Sequence, residues 1–413
     1  MSMKISKKRS LLLDISILLP FILVFLGAIF LKVYPPLGRL LKFSSFIYML
    51  VYVIFIHKKL PKNPSIAFLL FLPFFLYGIA HSFNLSAAIE DGLRYLFPIV
   101  ALFYGYSIRK HLDLIIKFVI VFLLLNFIVQ IFQYYFWSQG MRQWFYHVTP
   151  RGAWYYNAIM GMLRASGLVV YFAVFGYINM ISFFLIQRYY QGRYKKWFLG
   201  ISLLLLFASM STKTIITFFI ILIFIYYKKI LNLITAGIIF AIMLMMAFPV
   251  QTKGFIDNLM YRFDAYLLMK KPSVRAETYI LMWKDIFNFD LFGHGVGSFG
   301  GPASLKYNSP YYQEVHFTWP DTFWMKLTTV DTFPPHVFIE LGIIGGLLFF
   351  LVLTSPIIKR HIPVMVLIIY FSLFFDMLFT FSLASLEYMM YSLVLIYPVI
   401  YYEYHVKQNS TND

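Results

Sequence analysis

The 413-residue sequence contains no cysteine, and charged residues make up only 13% of it. Without cysteine, no disulfide can cross-link a loop and no thiolate can bind a metal. Soluble domains are usually about a quarter charged, so this composition disfavours a soluble protein. Acidic residues are also scarce, with 17 against 35 basic residues and a net charge of +18. In a soluble chain that imbalance would indicate nucleic-acid binding.

Hydrophobic residues make up 61% of the chain, and the mean hydropathy is +0.75. They fall in long runs, and a helix needs about 20 apolar residues to cross a bilayer core. The runs predict an all-α polytopic membrane protein with about 12 transmembrane helices. The predicted spans are residues 12–31, 41–56, 65–80, 94–108, 112–133, 168–187, 197–210, 215–227, 231–248, 337–354, 363–380 and 386–402.

Lysine and arginine are distributed unevenly between the two sides of this arrangement. With the N-terminus in the cytoplasm, the inner segments hold 18 of these residues and the short outer connections hold eight. Short loops rich in Lys and Arg favour the cytoplasmic side, so both termini are predicted there. The loop charge explains most of the positive balance, and no nucleic-acid partner is predicted.

One long outer connection, residues 249–335, separates the ninth span from the tenth. Residues 254–271 and 273–289 place apolar side chains at helical spacing, with Pro272 between them, which predicts two amphipathic helices. The chain then divides into an N-terminal bundle (1–248), this extracytoplasmic loop (249–335) and three C-terminal spans with a short cytoplasmic tail (336–413). A long structured loop is usually functional. The alternative is a lid that merely covers the bundle.

The stretch FGHGVGSFGG (292–301) superficially resembles a phosphate-binding glycine loop. That motif lies between a strand and a helix and would need cytosolic nucleotide, whereas this stretch is predicted to face outward. The glycines are therefore predicted to allow tight turns with positive φ.

The tenth span begins within DTFPPHVFIELGIIGG (331–346). Pro334 and Pro335 are predicted to hold the chain extended and prevent a helix before them, so that His336 lies in the first helical turn. The following glycines would permit close packing of a neighbouring segment. Asp331 and His336 either carry chemistry at this helix mouth or merely cap and decorate it.

Several of these segments together resemble the O-antigen polymerase and O-antigen ligase family. Arg275 and Trp283 precede Gly-x-Gly-x-Gly-Ser-Phe (293–299), and Glu-Leu-Gly-Ile-Ile-Gly-Gly (340–346) follows. Members of this family are membrane-embedded glycosyltransferases of the C type. Two weaker similarities lie at Arg-Ala-Ser-Gly (164–167) and Ser-Thr-Lys-Thr (211–214).

The sequence departs from the family's ligases in two places. Counted back from Gly342, the ligases' histidine position is occupied by Asp331, and His336 lies closer to the glycine. Lys213 stands where the family carries an arginine. These differences favour a polymerase, the more variable branch, and leave a ligase as an alternative.

The resemblance implies transfer of a glycan from polyprenyl pyrophosphate to a sugar hydroxyl at the outer face of a bacterial plasma membrane. A base must take the acceptor's proton, a role predicted for His336, with Asp331 orienting it or the acceptor. Cations must stabilise the leaving pyrophosphate. Arg94 could instead simply pair with the nearby Glu90 and Asp91. The predicted substrate-binding residues are Arg275, Arg164, Lys213 and Arg94.

The sequence shows no spacing typical of metal ligands, so a metal-independent reaction without a cofactor is predicted. The implied partners are a polyprenyl-pyrophosphate-linked oligosaccharide, membrane lipid and other polysaccharide-assembly proteins. A transporter of lipid-linked oligosaccharides would also fit the span count, but it would be expected to show related halves and discontinuous helices.

Asp376 lies in an apolar run and is a functional hypothesis by default. No basic residue shares its predicted helix, which leaves an interfacial role as the alternative.

Overall fold

The computed structural model describes residues 11–57, 59–140, 158–159, 162–169, 171–227, 273–317, 329–358, 362–381 and 385–406, with isolated positions between 228 and 272. Regular structure in these residues is helical, apart from an antiparallel pair of two-residue strands, β1 (Ala158–Ile159) and β2 (Met162–Leu163). Three short segments depart from α-helical geometry: Tyr52–His57 and Tyr402–Val406 are π-helical, and Ser355–Ile357 is a 3-10 turn. The helices are α1 (Leu11–Val33), α2 (Pro35–Val51), α3 (Lys62–Ala80), α4 (Leu85–Ser107), α5 (Leu112–Ser138), α6 (Phe172–Tyr189), α7 (Lys195–Ala208), α8 (Thr212–Ile225), α9 (Val274–Phe287), α10 (Pro302–Lys306), α11 (Tyr311–Glu314), α12 (Phe333–Thr354), α13 (Val364–Met377), α14 (Leu386–Met390) and α15 (Leu393–Tyr401).

Five helical segments of the described chain are long and apolar enough to cross a membrane. Helices α8 and α13 are equally apolar but shorter, with 14 residues each. Each predicted span overlaps a helix over part or all of its length except 231–248, of which only isolated positions are described. The chain therefore has the helical, apolar architecture of a membrane protein. The five segments are Leu11–Leu31, Pro35–His57, Lys62–Ala80, Leu112–Ser138 and Phe333–Ile357.

Small residues bring the helices close together. Helices α1 and α2 form a tight hairpin. Their backbones are so close at Gly38 that an added Cβ there would lie only 2.5 Å from the backbone nitrogen of Leu31. Gly105 of α4 has the same function against α15, since a Cβ there would lie 2.5 Å from the carbonyl oxygen of Val394. These contacts replace side-chain packing with backbone packing, as is common between membrane helices.

Helix α12 begins one residue earlier than its prolines. Pro334 and Pro335 occupy its first positions after Phe333, and His336 lies in the first turn as predicted. The prediction that the prolines hold an extended approach was wrong. Proline fits the first helical turn because the N–H groups there have no helical partner.

The same helix is interrupted at Gly342. Its backbone angles there are φ 68° and ψ −175°, a conformation that is essentially restricted to glycine. The loop before α12 fills the interruption, so the backbone groups that the break removes from the helix ladder find new partners. The hydrogen bonds run from Ile343 N to Asp290 O (3.0 Å), Ile344 N to Leu291 O (3.2 Å), His294 N to Ile339 O (2.9 Å) and Gly295 N to Glu340 O (3.0 Å).

The glycine-rich stretch forms the tight turns predicted for it. Gly293, Gly295, Gly297 and Gly300 all have positive φ. A Cβ on Gly293 would lie 2.3 Å from the backbone nitrogen of Gly342, so the loop meets the broken helix backbone to backbone. The predicted close packing around the glycines of α12 is therefore confirmed.

The predicted loop helix at 273–289 is confirmed as α9, whereas the predicted helix at 254–271 lies outside the described residues. The proposed boundary between residues 335 and 336 falls inside the first turn of α12. The predicted span 386–402 is also divided, because Ser392 (φ −133°, ψ −91°) separates α14 from α15.

Candidate functional site

An exposed ion pair lies where α9 begins. Arg275 Nη2 donates to Asp331 Oδ2 at 2.8 Å, and the Asp331 side chain is 58% exposed. The hydroxyls of Thr278 and Thr332 meet at 3.0 Å beside it, which holds α9 against the chain entering α12. Two of the residues singled out from the sequence are therefore direct partners, and both reach solvent.

A second, more buried ion pair joins α8 to α13. Lys213 Nζ lies 2.9 Å from Asp376 Oδ2 and 2.9 Å from Thr380 Oγ1. A buried charge is costly without a partner, and Lys213 and Asp376 each lie in an apolar helix. Asp376 therefore forms its ion pair with a basic residue on another helix rather than on its own.

The two ion pairs form one site. Tyr279 of α9 donates to the carbonyl oxygen of Leu378 at the end of α13, at 2.8 Å. Lys213 also lies close enough to interact electrostatically with both Arg275 and Asp331. We call Lys213, Asp376, Arg275 and Asp331 the paired-charge site, because its two cations are the groups that could bind a phosphate.

Arg164 binds the turn that precedes α8 and so helps to position Lys213. Its Nε and Nη2 donate to the carbonyl oxygens of Ser209 and Met210 at 3.3 and 2.9 Å. Its guanidinium carbon also lies 3.0 Å from the centre of the Phe172 ring. Arg164 is buried and holds the turn from which α8, and hence Lys213, begins.

Arg94 lies in an acidic setting. It pairs with the buried Asp91 and, at 3.2 Å, with Glu90. Glu90 in turn accepts from Lys306 at 2.9 Å. The alternative that Arg94 pairs with these two carboxylates is therefore confirmed.

His336 is enclosed by aromatic rings. It is 1% exposed, stacks on Tyr95 with ring centres 5.2 Å apart, and meets the edge of Phe381 at 4.8 Å. Its Nδ1 contacts the carbonyl oxygen of Phe299, and because a carbonyl only accepts, Nδ1 must carry the proton. The imidazole is therefore anchored to the glycine loop through Nδ1 and is enclosed rather than open at the helix mouth, while Nε2 remains its basic nitrogen.

Glu340 is a functional candidate that the sequence analysis missed. It is fully buried, and its carboxyl group accepts from Tyr95 Oη at 2.9 Å and from the backbone N–H of Phe299 at 3.0 Å. His336 lies one helical turn before it, with 3.6 Å between Nδ1 and Oε1. Together the two side chains fasten the glycine loop to α12. The signal in the sequence was a carboxylate four residues after His336 in an apolar run.

Asp285, Asp290 and His294 form the group within the described ranges that could hold a metal ion, with ligand atoms within 4.8 Å of one another. His294 Nε2 lies 3.4 Å from Asp285 and 3.3 Å from Asp290. Burial lowers the pKa of His294, but the hydrogen bond to Asp285 and the nearby carboxylates outweigh it and raise that pKa above its ordinary value. His294 therefore bridges the end of α9 to the residues that fill the break in α12, and protonation of its ring strengthens this bridge.

Mild acid is expected to strengthen this bridge. Because the folded-state pKa of His294 is raised, its contribution to stability is fully present below the unfolded pKa of about 6.5 and is lost as the pH rises through the folded value. The unfolding temperatures of the wild-type protein and His294→Gln should therefore differ most near the acid end of a range from about pH 5.5 to 8.5.

His81→Gln is the matched control, because His81 stacks on the Tyr77 ring of the neighbouring turn. The pH trend of the His294→Gln variant is read as its difference from this control. A His294→Gln difference that grows toward alkaline pH would contradict the ion-pair bridge.

No protein-family model matches the chain, and a search of curated proteins returns no match either. Within the described residues, α9 and the glycine-rich loop both pack on α12.

Proposed function

We propose that this chain is a surface polysaccharide polymerase of the O-antigen or capsule type. It transfers a polyprenyl-pyrophosphate-linked glycan to a sugar hydroxyl at the outer face of the bacterial plasma membrane. The observation that carries the proposal is the exposed Arg275–Asp331 pair beside the Lys213–Asp376 pair. It offers cations for a leaving pyrophosphate and a carboxylate for the acceptor within one site.

In this mechanism Arg275 releases Asp331 and binds the pyrophosphate instead. A guanidinium can bind two phosphate oxygens at once, so one anionic partner replaces another at little cost. Lys213 adds a second positive charge, and Arg164 holds the turn that places it. As the bond between the anomeric carbon and the pyrophosphate oxygen breaks, these charges stabilise the leaving group.

The acceptor hydroxyl attacks the anomeric carbon, and its proton passes to a base. We assign that role to Asp331 rather than to His336, the residue that the sequence favoured. Asp331 is exposed, whereas the His336 ring is 1% exposed and enclosed by Tyr95 and Phe381. Losing Arg275 to the pyrophosphate removes a positive neighbour and makes the Asp331 carboxylate a stronger base.

The proposed topology has twelve spans, both termini in the cytoplasm and residues 249–335 outside. It is supported by the asymmetry of Lys and Arg in the connections and by the helices found at the predicted spans. We expect Lys306→Cys, the added thiol in a cysteine-free chain, to react with an impermeant maleimide in intact cells.

Arg193→Cys is the matched control for this topology, since its exposed position lies in the connection between α6 and α7 that is proposed to be cytoplasmic. It should react only after lysis. If position 306 also needs lysis, the orientation is reversed.

Deletion of the protein in its host, followed by sizing of the surface glycan, tests the reaction itself. Loss of a polymerase leaves single repeat units on the surface. Loss of a ligase, the alternative within the same family, leaves long chains on the lipid carrier.

A transporter is the second candidate class, favoured by the interruptions at Gly342 and Ser392. Its loss would hold single lipid-linked units at the inner face. Long chains on the carrier or units trapped inside would each overturn the polymerase proposal.

A further inference from the structure

One face of α9 is apolar although it points away from the protein. Ile280, Trp283 and Phe287 are exposed, with Phe287 at 74%, and Trp283 stacks on Phe287 with ring centres 5.8 Å apart. Their spacing of three and four residues places them on one stripe of the helix. The opposite side of α9 is also apolar, because Leu281 and Met282 are buried against the loop. A helix with one side buried and the other in water is expected to have a polar outer face, and the outer face of α9 is apolar.

This apolar stripe continues beyond the end of the helix. Phe289, Leu291 and Phe292 are also exposed. The Phe292 ring lies 5.2 Å from Tyr77 and 6.2 Å from Phe74, near the end of α3. Helix α3 is one of the five membrane-length segments, and it also exposes leucines along its length. The stripe on α9 is therefore continuous with an apolar surface that is suited to lipid.

A shallow groove of about 540 Å³ runs along the stripe, lined by Ile280, Trp283, Lys284 and Phe287. Lys284 is exposed beside the apolar residues. An apolar surface bordered by tryptophan and lysine matches the boundary between acyl chains and phosphate headgroups, where the indole ring and the ammonium each reach a polar layer.

We propose that α9 lies in the membrane interface, with Ile280, Trp283 and Phe287 among phospholipid acyl chains and Lys284 at the headgroup phosphates. The occupant of the groove is bilayer phospholipid. The continuity with α3 selects lipid over a soluble partner, because a protein docked on α9 would have to compete with the bilayer at the Phe292 end. Lipid contact also sets Arg275, at the start of α9, at the height of the membrane surface. The proposal holds whether or not the chain transfers glycans.

Spin labels introduced into the cysteine-free chain test this placement. Phe287→Cys carries the label on the stripe, and Gln313→Cys on α11 is the matched control at an exposed polar position of the same loop. Both full-length proteins are reconstituted into vesicles of phosphatidylethanolamine and phosphatidylglycerol. Collision with oxygen, which concentrates in lipid, is compared with collision with a water-soluble nickel chelate.

We expect the label at 287 to meet oxygen more than nickel and the label at 313 to show the reverse order. Equal nickel access at both positions would overturn the proposal. So would a label at 287 that neither reagent reaches, because that result means protein covers the stripe. If Phe287→Cys does not fold, Ile280→Cys reports on the same face. A variant counts as folded when its unfolding temperature equals that of the wild-type protein.

Discussion

Replacing Arg275 with alanine is expected to abolish growth of the glycan beyond a single repeat unit. Under the proposed mechanism, Arg275 leaves Asp331 to bind the pyrophosphate as that group departs. Removing one such preorganised donor of positive charge commonly costs about 10²–10³ in rate. Without the guanidinium, the leaving group loses its nearest cation and the site keeps only the partly buried Lys213.

Arg275→Lys separates charge from geometry. Lysine restores the positive charge but presents an ammonium that cannot bind two oxygens in a fixed plane, so we expect most of the activity to remain lost. Recovery to wild-type chain length would mean that charge alone is sufficient, and the two-oxygen contact would then be wrong.

Arg193→Ala is the matched control, since it removes an exposed arginine from the connection between α6 and α7. Chain length is read from the size distribution of the surface glycan in a deletion strain carrying each variant at equal membrane abundance. Unchanged glycan in Arg275→Ala would remove Arg275 from the mechanism.

Gly342→Ala is expected to prevent the protein from folding normally. The backbone there adopts φ 68° and ψ −175°, which costs a residue with a side chain about 1–3 kcal/mol. The added Cβ would also lie 2.5 Å from the backbone of Gly293 and of Leu291, and these atoms cannot swing aside like the end of a side chain. Overpacking of this kind adds about 1–3 kcal/mol or more.

Gly200→Ala provides the matched control, because Gly200 is helical in α7 and its new Cβ would meet no atom of the described residues within 4 Å beyond the backbone of its own helix. There alanine should be neutral or stabilising, since it favours the helix by up to about 1 kcal/mol. The two variants are compared by their yield of monodisperse protein and by their unfolding temperature in detergent. A Gly342→Ala protein as stable as the wild type would show that the helix does not need the break.

The positions of the helices were predictable because the length of an apolar run is a local property of the sequence. The glycine turns and α9 were predictable for the same reason, since positive φ and helical spacing are set within a few residues. The break at Gly342 was not, because an interrupted helix is stable only where other carbonyl and N–H groups complete its hydrogen bonds. Here the carbonyl groups belong to Asp290 and Leu291 and the N–H groups to His294 and Gly295, about fifty residues earlier in the chain.

Among the candidate residues, the structure pairs Arg275 directly with Asp331. The partner of Lys213 could not be inferred, because the Lys213–Asp376 pair joins helices that are far apart in sequence. His336 was expected at an open helix mouth because only its place in the turn could be inferred. Its burial depends on Tyr95, Phe299 and Phe381, which approach from three other segments.

The interruption at Gly342 has a consequence for how the protein is made. Unpaired backbone groups in hydrocarbon cost several kcal/mol each, so α12 cannot rest in the bilayer until residues 290–295 supply its missing partners. Those residues leave the ribosome before α12 does. Under the proposed topology, the loop therefore has to lie beside α12 when that helix enters the bilayer, which couples insertion of α12 to closure of the loop.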